Sequence, residues 1–171
     1  MVQAAYPARM INHGHTDRTG RPVTLHEVDA DNWRAVADSA PRDDQRDWVP
    51  ALAARYLVLS SREDTWNSLA VLAGDEVTGH IMWGRDDDGS HWIGGMLIDA
   101  AHQGTGIGRA AVHTLADWLA AREDGTAVRL SYAPENEAAA HLYTALGFRP
   151  TGVEEDGEIV AEWETRSTSS G

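Results

Sequence analysis

Cysteine is absent from this chain of 171 residues, and its absence removes three kinds of chemistry. The chain can form no disulfide bond, hold no metal ion through thiolates and use no cysteine as a nucleophile. It also lacks any apolar run near the roughly 20 residues that span a bilayer. Residues 1–21 have no apolar signal-peptide core. These absences predict a cytoplasmic protein without a membrane partner.

Basic residues are scarce, since 14 lysines and arginines stand against 27 acidic residues, for a formal net charge of −13. Surfaces that bind nucleic acids are basic, so this charge argues against a nucleic-acid partner. The field of such a chain attracts cationic substrates, although solubility alone also accounts for an acidic surface. The eight histidines are scattered. Because we find none paired with an acid at helical i, i+4 spacing, we expect no metal site.

The length of the chain suits a single domain with a substantial core. Residues 1–21 are polar and are expected to be poorly ordered, and residues 166–171 are expected to form a flexible tail. Residues 22–165 are then the single domain. Within it, apolar patterning predicts strands at residues 23–28, 68–73, 77–83, 91–98, 127–132, 148–153 and 158–164. Amphipathic spacing predicts helices at residues 31–38, 49–62, 107–122 and 136–146.

The glycine-rich stretch at residues 103–108 (Gln-Gly-Thr-Gly-Ile-Gly) is the most informative motif. It follows the apolar run 92–98 and opens the amphipathic segment 109–122. Three glycines in five positions allow a tight turn and leave backbone N–H groups uncovered. Together with the positive end of the following helix dipole, these groups predict a site for a phosphate or pyrophosphate.

Two common phosphate loops fit this stretch poorly. A P-loop needs a lysine after its last glycine, and this stretch has none. A dinucleotide-binding loop would use Gly106, Gly108 and Ala111 at the required spacing. That loop normally opens a run of βαβ units, whereas here it follows three strands joined by short turns, a pattern typical of an antiparallel meander.

The order Gln-x-x-Gly-x-Gly after an apolar strand resembles the acetyl-CoA signature of the GNAT superfamily of N-acyltransferases. A second segment, residues 136–148, reads Asn-x-x-Ala-x-x-Leu-Tyr-x-x-x-Gly-Phe and looks like that family's later helix and strand. Residues 132–137, residues 152–160 and Ile98-Asp99 are similar to bacterial spermine/spermidine (diamine) N-acetyltransferases. The resemblance covers about residues 22–164.

This resemblance implies an α/β (α+β) fold with a mixed, mostly antiparallel sheet of about seven strands and helices on both faces. It also implies direct transfer of an acetyl group from acetyl-CoA to a primary amine of a small molecule, with a polyamine as the first choice. An amine-bearing antibiotic, a protein or peptide acceptor, and a non-catalytic acyl-CoA-binding module are the alternatives. Dimers are common among such enzymes, so a homodimer is possible.

The resemblance also implies roles for individual residues. The coenzyme A diphosphate would lie on Gln103, Gly104, Thr105, Gly106, Ile107, Gly108 and Arg109. Backbone groups of Met96, Leu97 and Ile98 would polarise the thioester carbonyl and pair with pantetheine. Tyr143 would donate a proton to the leaving thiolate, and Asn136 would bind or orient the cofactor arm. Core packing for Tyr143 and a plain helix cap for Asn136 are the structural alternatives.

The general base is not apparent from the sequence. Many relatives carry a glutamate on the strand before the loop, but no acid lies between His91 and Ile98. The candidates are Glu27, His80, His91, or an acid of the early helices that acts through water.

Overall fold

A single eight-stranded sheet organises the computed structural model, which describes residues 10–164. The strands are β1 (Met10–Ile11), β2 (Val23–Glu27), β3 (Trp66–Ala73), β4 (Glu76–Arg85), β5 (His91–Ile98), β6 (Val128–Tyr132), β7 (Phe148–Glu155) and β8 (Glu158–Trp163). Their order is β1-β2-β3-β4-β5-β6-β8-β7. Only the β5–β6 pair is parallel. The predicted mixed, mostly antiparallel sheet is therefore confirmed, with the two-residue β1 as an additional strand.

Four helices accompany the sheet, namely α1 (Trp33–Ala37), α2 (Ala54–Arg62), α3 (Ile107–Ala120) and α4 (Glu137–Leu146). The first is shorter than predicted because Asp29, and not Asp31, accepts the backbone N–H groups of the preceding turn. The second begins five residues later than predicted. Pro50 disfavours helical geometry at the residue before it, so the helix starts beyond this turn. Among the residues from 10 to 164, no helix is both long and apolar enough to cross a membrane.

Helices cover both faces of the sheet, as predicted. The apolar side of α3, including Ala111, Leu115 and Leu119, belongs to one core cluster with Leu25 and Ile81. Side chains alternate across a strand, so the neighbours of Ile81 face the other way. On that opposite face, the ring of His80 stacks on Tyr56 of α2 at a centroid distance of 5.1 Å.

Residues 10–21 include a short strand that the sequence did not predict. Met10 pairs with His26 and Ile11 with Leu25, so the sheet begins before residue 22. Farther along, the Arg18 N–H donates to the Thr105 carbonyl at 2.8 Å. A polar segment with one buried apolar residue, Ile11, carries little amphipathic signal, so the sequence did not indicate this strand. Residues 1–9 and the predicted tail 166–171 lie outside the described residues.

The sheet opens where β5 and β6 separate. These strands pair only at His91–Val128 and Trp92–Arg129, near the start of each strand. A register shift in the β4–β5 ladder leaves Gly95 and Met96 outside the pairing, so β5 carries a bulge there. The end of β5 therefore bends away from β6, and a gap opens in front of the glycine-rich loop.

Candidate active site

The gap beside β5 opens into a cleft of about 1310 Å³. Eleven of the twelve predicted site residues line it, and Thr105 is the exception. The end of β5, the start of α3 and one side of α4 form the walls, so segments far apart in the chain meet at one cavity.

The glycine-rich loop has a backbone that only glycine adopts without strain. Gly104 and Gly106 have φ values of +87° and +85°, in the left-handed region. Gly106 is also the N-cap of α3, so the first N–H groups of the helix have no partner within it. Three of the residues that follow the cap, Ile107, Gly108 and Arg109, line the cleft. This geometry fits a diphosphate at the helix start.

The Gln103 side chain is occupied by protein groups. Its Nε2 donates to the Ile98 carbonyl at 2.8 Å and to Gln45 Oε1 at 2.7 Å. Gln45 Nε2 donates back to Gln103 Oε1 at 3.0 Å. Both Nε2 protons are used, so this side chain holds the loop against the end of β5. Any contact of Gln103 with a diphosphate is left to its backbone.

Arg18 is a cleft residue that the sequence did not indicate. Its backbone is tied to the Thr105 carbonyl, and its side chain would lie 3.3 Å from a Cβ placed on Gly106. The Thr105 Oγ1 is buried and has no hydrogen-bond partner among the described residues. Arg18 adds a positive charge beside the loop, and the unused hydroxyl is one more polar group there. Both observations fit an anionic ligand.

Tyr143 lies on α4 with its ring packed into the wall of the cleft. Ring centroids lie 5.8 Å away at Tyr132 and 6.1 Å away at Phe148. Burial, with smaller contributions from Tyr56 and Glu158, raises the pKa of Tyr143 to about 12. The hydroxyl therefore stays protonated and can act as a hydrogen-bond donor throughout the neutral range.

Asn136 sets where α4 begins. Its Oδ1 accepts the Ala139 N–H at 3.2 Å, so the predicted helix cap is present. Gly147 ends the helix at φ +107°. Asn136 also lines the cleft, so capping and contact with a ligand are compatible.

None of the three named base candidates lines the cleft. Glu27 lines a separate depression of about 260 Å³ beside Trp118. His91 is buried beside Asp124, with its Nε2 3.6 Å from Asp124 Oδ1. His80 is also buried, and both of its ring nitrogens are hydrogen-bonded. An acid from the early part of the chain is better placed, because Asp44 and Asp47 both line the cleft.

Acidic side chains outnumber basic ones in the lining of the cleft. Among the described residues, six carboxylates line it together with Arg18, Arg42, Arg85 and Arg109, and these acids are Asp44, Asp47, Asp86, Glu155, Asp156 and Glu158. Glu158 Oε2 accepts the Ser131 hydroxyl at 2.7 Å. Its charge also contributes to raising the pKa values of Tyr56 and Tyr143. The sequence did not show that β8 would bring Glu158 to the cleft.

A histidine cluster outside the cleft contains a histidine paired with an acid at i, i+4 spacing, which was not recognised in the sequence. His113 and Asp117 are an i, i+4 pair on α3, and His15 Nε2 lies 2.6 Å from Asp117 Oδ2. The two imidazole rings stack at 3.7 Å with an interplanar angle of 21°. One ligand atom from each of His15, His113 and Asp117 lies within 4.8 Å of the others, and the His15–Asp117 pair is at hydrogen-bonding distance. This arrangement is a hydrogen-bonded contact that holds the N-terminal segment on α3.

Comparison with known proteins agrees with this geometry. The model of the Acetyltransferase (GNAT) family matches residues 23–148. No curated protein matches the chain by sequence.

Solved structures share the fold at low sequence identity. The GNAT domain of S. lividans PAT is 18% identical, with a TM-score of 0.69 over 88% of this chain and 95% of that one. AAC(6')-Ib in complex with ribostamycin and coenzyme A is 22% identical, with a TM-score of 0.68 over 84% and 93%. Mycobacterium smegmatis RimJ in complex with CoA-disulfide is 18% identical, with a TM-score of 0.64 over 86% and 83%. Because the family match spans well over half of the residues, the chain belongs to the acetyltransferase (GNAT) family, whose members transfer an acetyl group from acetyl-CoA.

Proposed function

We propose that the protein transfers an acetyl group from acetyl-CoA directly to a primary amine of a small, multiply charged cation, with a polyamine as the first choice. The observation that carries this proposal is the excess of carboxylates over guanidinium groups in the cleft lining. Six carboxylates line the cleft with four arginines; Arg18 and Arg109 lie beside or in the glycine-rich loop, Arg42 pairs with Asp44, and Arg85 donates to the Asp124 carbonyl.

On the cofactor side, backbone N–H groups would make most of the contacts with acetyl-CoA. The loop and the first turn of α3 would hold the diphosphate, with Arg18 and Arg109 as the nearby positive charges. Acetyl-CoA supplies a thioester whose carbonyl carbon accepts the amine. The unpaired backbone at Met96 lies in the bulge of β5, where its N–H can donate to the carbonyl oxygen as negative charge develops.

On the acceptor side, the amine arrives with a positive charge because alkyl amines have a pKa of about 10.4. The acidic side chains of the cleft attract such a cation, and Glu158 is the carboxylate we assign to hold it near Tyr143. The ammonium first loses one proton to water, and the free amine then forms the C–N bond while the C–S bond breaks. The nitrogen loses a second proton as the amide forms; the Tyr143 hydroxyl donates a hydrogen bond to the leaving sulfur, which takes up a proton through water to leave as the free thiol.

An acceptor panel tests this assignment. Spermidine, spermine, ribostamycin, a neutral-side-chain amino acid and a peptide with N-terminal alanine are each incubated with acetyl-CoA, and free thiol is followed. We expect turnover to be highest with the polyamines. Faster turnover of the peptide would replace the small-molecule assignment. Acetyl-CoA binding without transfer to any acceptor would favour the non-catalytic module.

A pair of variants on β8 tests the role of Glu158. We expect Glu158→Gln to raise the KM for the polyamine by about 10-fold, as for the loss of one charged hydrogen bond, with the Kd of acetyl-CoA unchanged. Glu162→Gln is the matched control, because Glu162 pairs with Arg129 and does not line the cleft. Equal KM values for Glu158→Gln and the unmodified protein would remove Glu158 from the acceptor site.

An amine-bearing antibiotic is the second candidate. The same acidic surface would suit an aminoglycoside, and a neighbour with the same fold is described in complex with ribostamycin. Higher kcat/KM for ribostamycin than for the polyamines would favour it. A homodimer and a cytoplasmic location stay predictions from the sequence.

A further inference from the structure

His80 is buried on β4, and hydrogen bonds fix its protonation state. Its Nδ1 lies 2.7 Å from the Gly95 carbonyl oxygen, and its Nε2 lies 2.8 Å from Ser68 Oγ. A carbonyl only accepts, so Nδ1 carries the proton and the bare Nε2 accepts from the Ser68 hydroxyl. Ser68 Oγ lies 2.6 Å from Ser60 Oγ, and with its own proton committed it accepts from Ser60, whose hydroxyl is shared with the Leu57 carbonyl at 3.2 Å. The result is a directional chain from Ser60 through Ser68 and His80 to Gly95.

The surroundings keep His80 neutral and in place. Burial lowers its pKa to about 4, so the imidazole is uncharged at neutral pH. Tyr56 stacks on the ring with an interplanar angle of 8°. An immobile, neutral imidazole whose two nitrogens are both occupied is poorly suited to remove a proton from a substrate, but well suited to hold a backbone carbonyl.

Gly95, the residue held by His80, is the centre of the bulge. Its φ is +57°, and a Cβ there would lie 3.0 Å from both the His80 ring and the Met82 side chain. In the β4–β5 ladder, Met82 pairs with Gly94 and His80 pairs with Leu97, so the peptide that joins Gly95 to Met96 is not paired with β4. In a trans peptide, the C=O and N–H bonds point in opposite directions. With the Gly95 carbonyl fixed on His80, the Met96 N–H is directed away from it, and Met96 lines the cleft.

We propose that His80, braced by Ser68 and Ser60, is a positioning residue that aims the Met96 N–H at the thioester carbonyl. This inference rests on the proposed placement of acetyl-CoA in the cleft, but not on the identity of the acceptor. His80 touches neither substrate and acts only through the bulge. Loss of the imidazole would free the peptide to rotate and weaken the polarisation of the carbonyl.

An acceptor-independent measurement tests the proposal. Isotope-edited infrared spectroscopy of acetyl-CoA labelled with ¹³C at the carbonyl reports the strength of the hydrogen bond to that oxygen. We expect binding to shift the C=O stretch to lower wavenumber in the unmodified protein. In His80→Leu the stretch should return toward its value in water-free solvent. His80→Asn, which keeps an N–H donor at the Nδ1 position, should retain most of the shift.

A control on the same strand separates positioning from general destabilisation. Thr78 is fully buried on β4, and its hydroxyl donates to the Val71 carbonyl at 3.1 Å, away from the bulge. Thr78→Val should lower the melting temperature without changing the infrared shift. If His80→Leu fails to fold, Ser68→Ala provides the test, since it removes the brace from the Nε2 side. A smaller shift in Ser68→Ala is the expected result.

Kinetics with any active acceptor give a second readout. A lost oxyanion donor typically costs about 100- to 1000-fold in kcat, and a displaced one should cost less, so we expect about 10- to 100-fold for His80→Leu. The KM values should change by less than about threefold, because His80 contacts no substrate. His80→Asn should recover most of kcat with an unchanged pH profile. An unaltered C=O stretch in both His80→Leu and Ser68→Ala would overturn the proposal.

Discussion

Replacing Tyr143 with phenylalanine tests the proposed proton donor with minimal change of shape. The substitution removes one hydroxyl and leaves the ring that packs between Tyr132 and Phe148. Folding and acetyl-CoA binding should therefore be little affected. The substitution removes only the hydroxyl that we propose donates to the sulfur when the thioester bond breaks.

The pKa of Tyr143 sets the size of the effect. The hydroxyl has a pKa of about 12, whereas a thiol like that of coenzyme A has a pKa of about 8.5. Full proton transfer to the thiolate is then uphill by about 3.5 pKa units, or about 5 kcal/mol. The hydroxyl therefore acts mainly as a hydrogen-bond donor to the developing negative charge. Such a bond contributes about 1.5–3 kcal/mol, so kcat should fall by about 10- to 150-fold.

The assay follows release of free thiol at saturating acetyl-CoA and acceptor between about pH 6 and pH 11, a range that brackets the pKa of a thiol. The unmodified protein should show no alkaline loss from Tyr143 below about pH 11, because the hydroxyl is still protonated there. Tyr132→Phe, which removes a hydroxyl from the neighbouring ring, is the control and should keep kcat within about threefold, the effect of a weak neutral hydrogen bond. Unchanged kcat in Tyr143→Phe would refute the donor role. The raised pKa of Tyr143 would be refuted by a loss of kcat near pH 8–9, close to the pKa of a thiol, that is present in the unmodified protein and absent in Tyr143→Phe.

Three further substitutions test other parts of the structure. Arg18→Ala should weaken acetyl-CoA binding by about 10-fold in calorimetry. Arg21→Ala is the control and should leave the affinity unchanged, because Arg21 belongs to the same segment but does not line the cleft. Equal affinities of Arg18→Ala and the unmodified protein would show that Arg18 is not part of the cofactor site. Gly125→Ala should lower the free energy of unfolding by about 1–3 kcal/mol, because the new Cβ would overlap the buried His91 ring. A urea midpoint equal to that of the unmodified protein would contradict this packing. Hydrogen bonds from the Thr19 hydroxyl and then from Arg21 lower the pKa of Asp17 to about 2. The stabilisation of the fold by the Asp17 carboxylate is therefore complete above the unfolded-state pKa of about 3.9 and is lost as the pH falls toward 2. Melting temperatures measured across this range should fall less in Asp17→Asn, and parallel curves for the two proteins would show that Asp17 is not responsible.

Local patterns predicted the parts of the site that depend on neighbouring residues. The glycines at 104 and 106 require a left-handed backbone, and Asn136 and Gly147 bracket α4 as a cap and a stop. Both motifs therefore appear in the structure near the predicted positions. The apolar patterning likewise predicted seven of the eight strands. Six of these have two or more buried residues, whereas β7 buries only Phe148.

The groups that the sequence did not reveal reach the site through long-range pairing. Arg18 arrives because residues 10–21 cross the start of α3, and Glu158 because β8 inserts between β6 and β7. His80 was proposed as a base from its residue type alone. Its hydrogen bond to Gly95 depends on the β4–β5 register, which a single sequence does not contain.

The β7–β8 hairpin and the glycine-rich loop bring different groups to the cleft. The family match stops at residue 148, and the hairpin beyond it supplies Glu155, Asp156 and Glu158 without contributing to the glycine-rich loop. If Glu158 holds the amine as proposed, substitutions in this hairpin should change which nucleophile is accepted and leave the affinity for acetyl-CoA unchanged. Grafting residues 149–164 from a relative with another preference would be a direct route to an altered acceptor range.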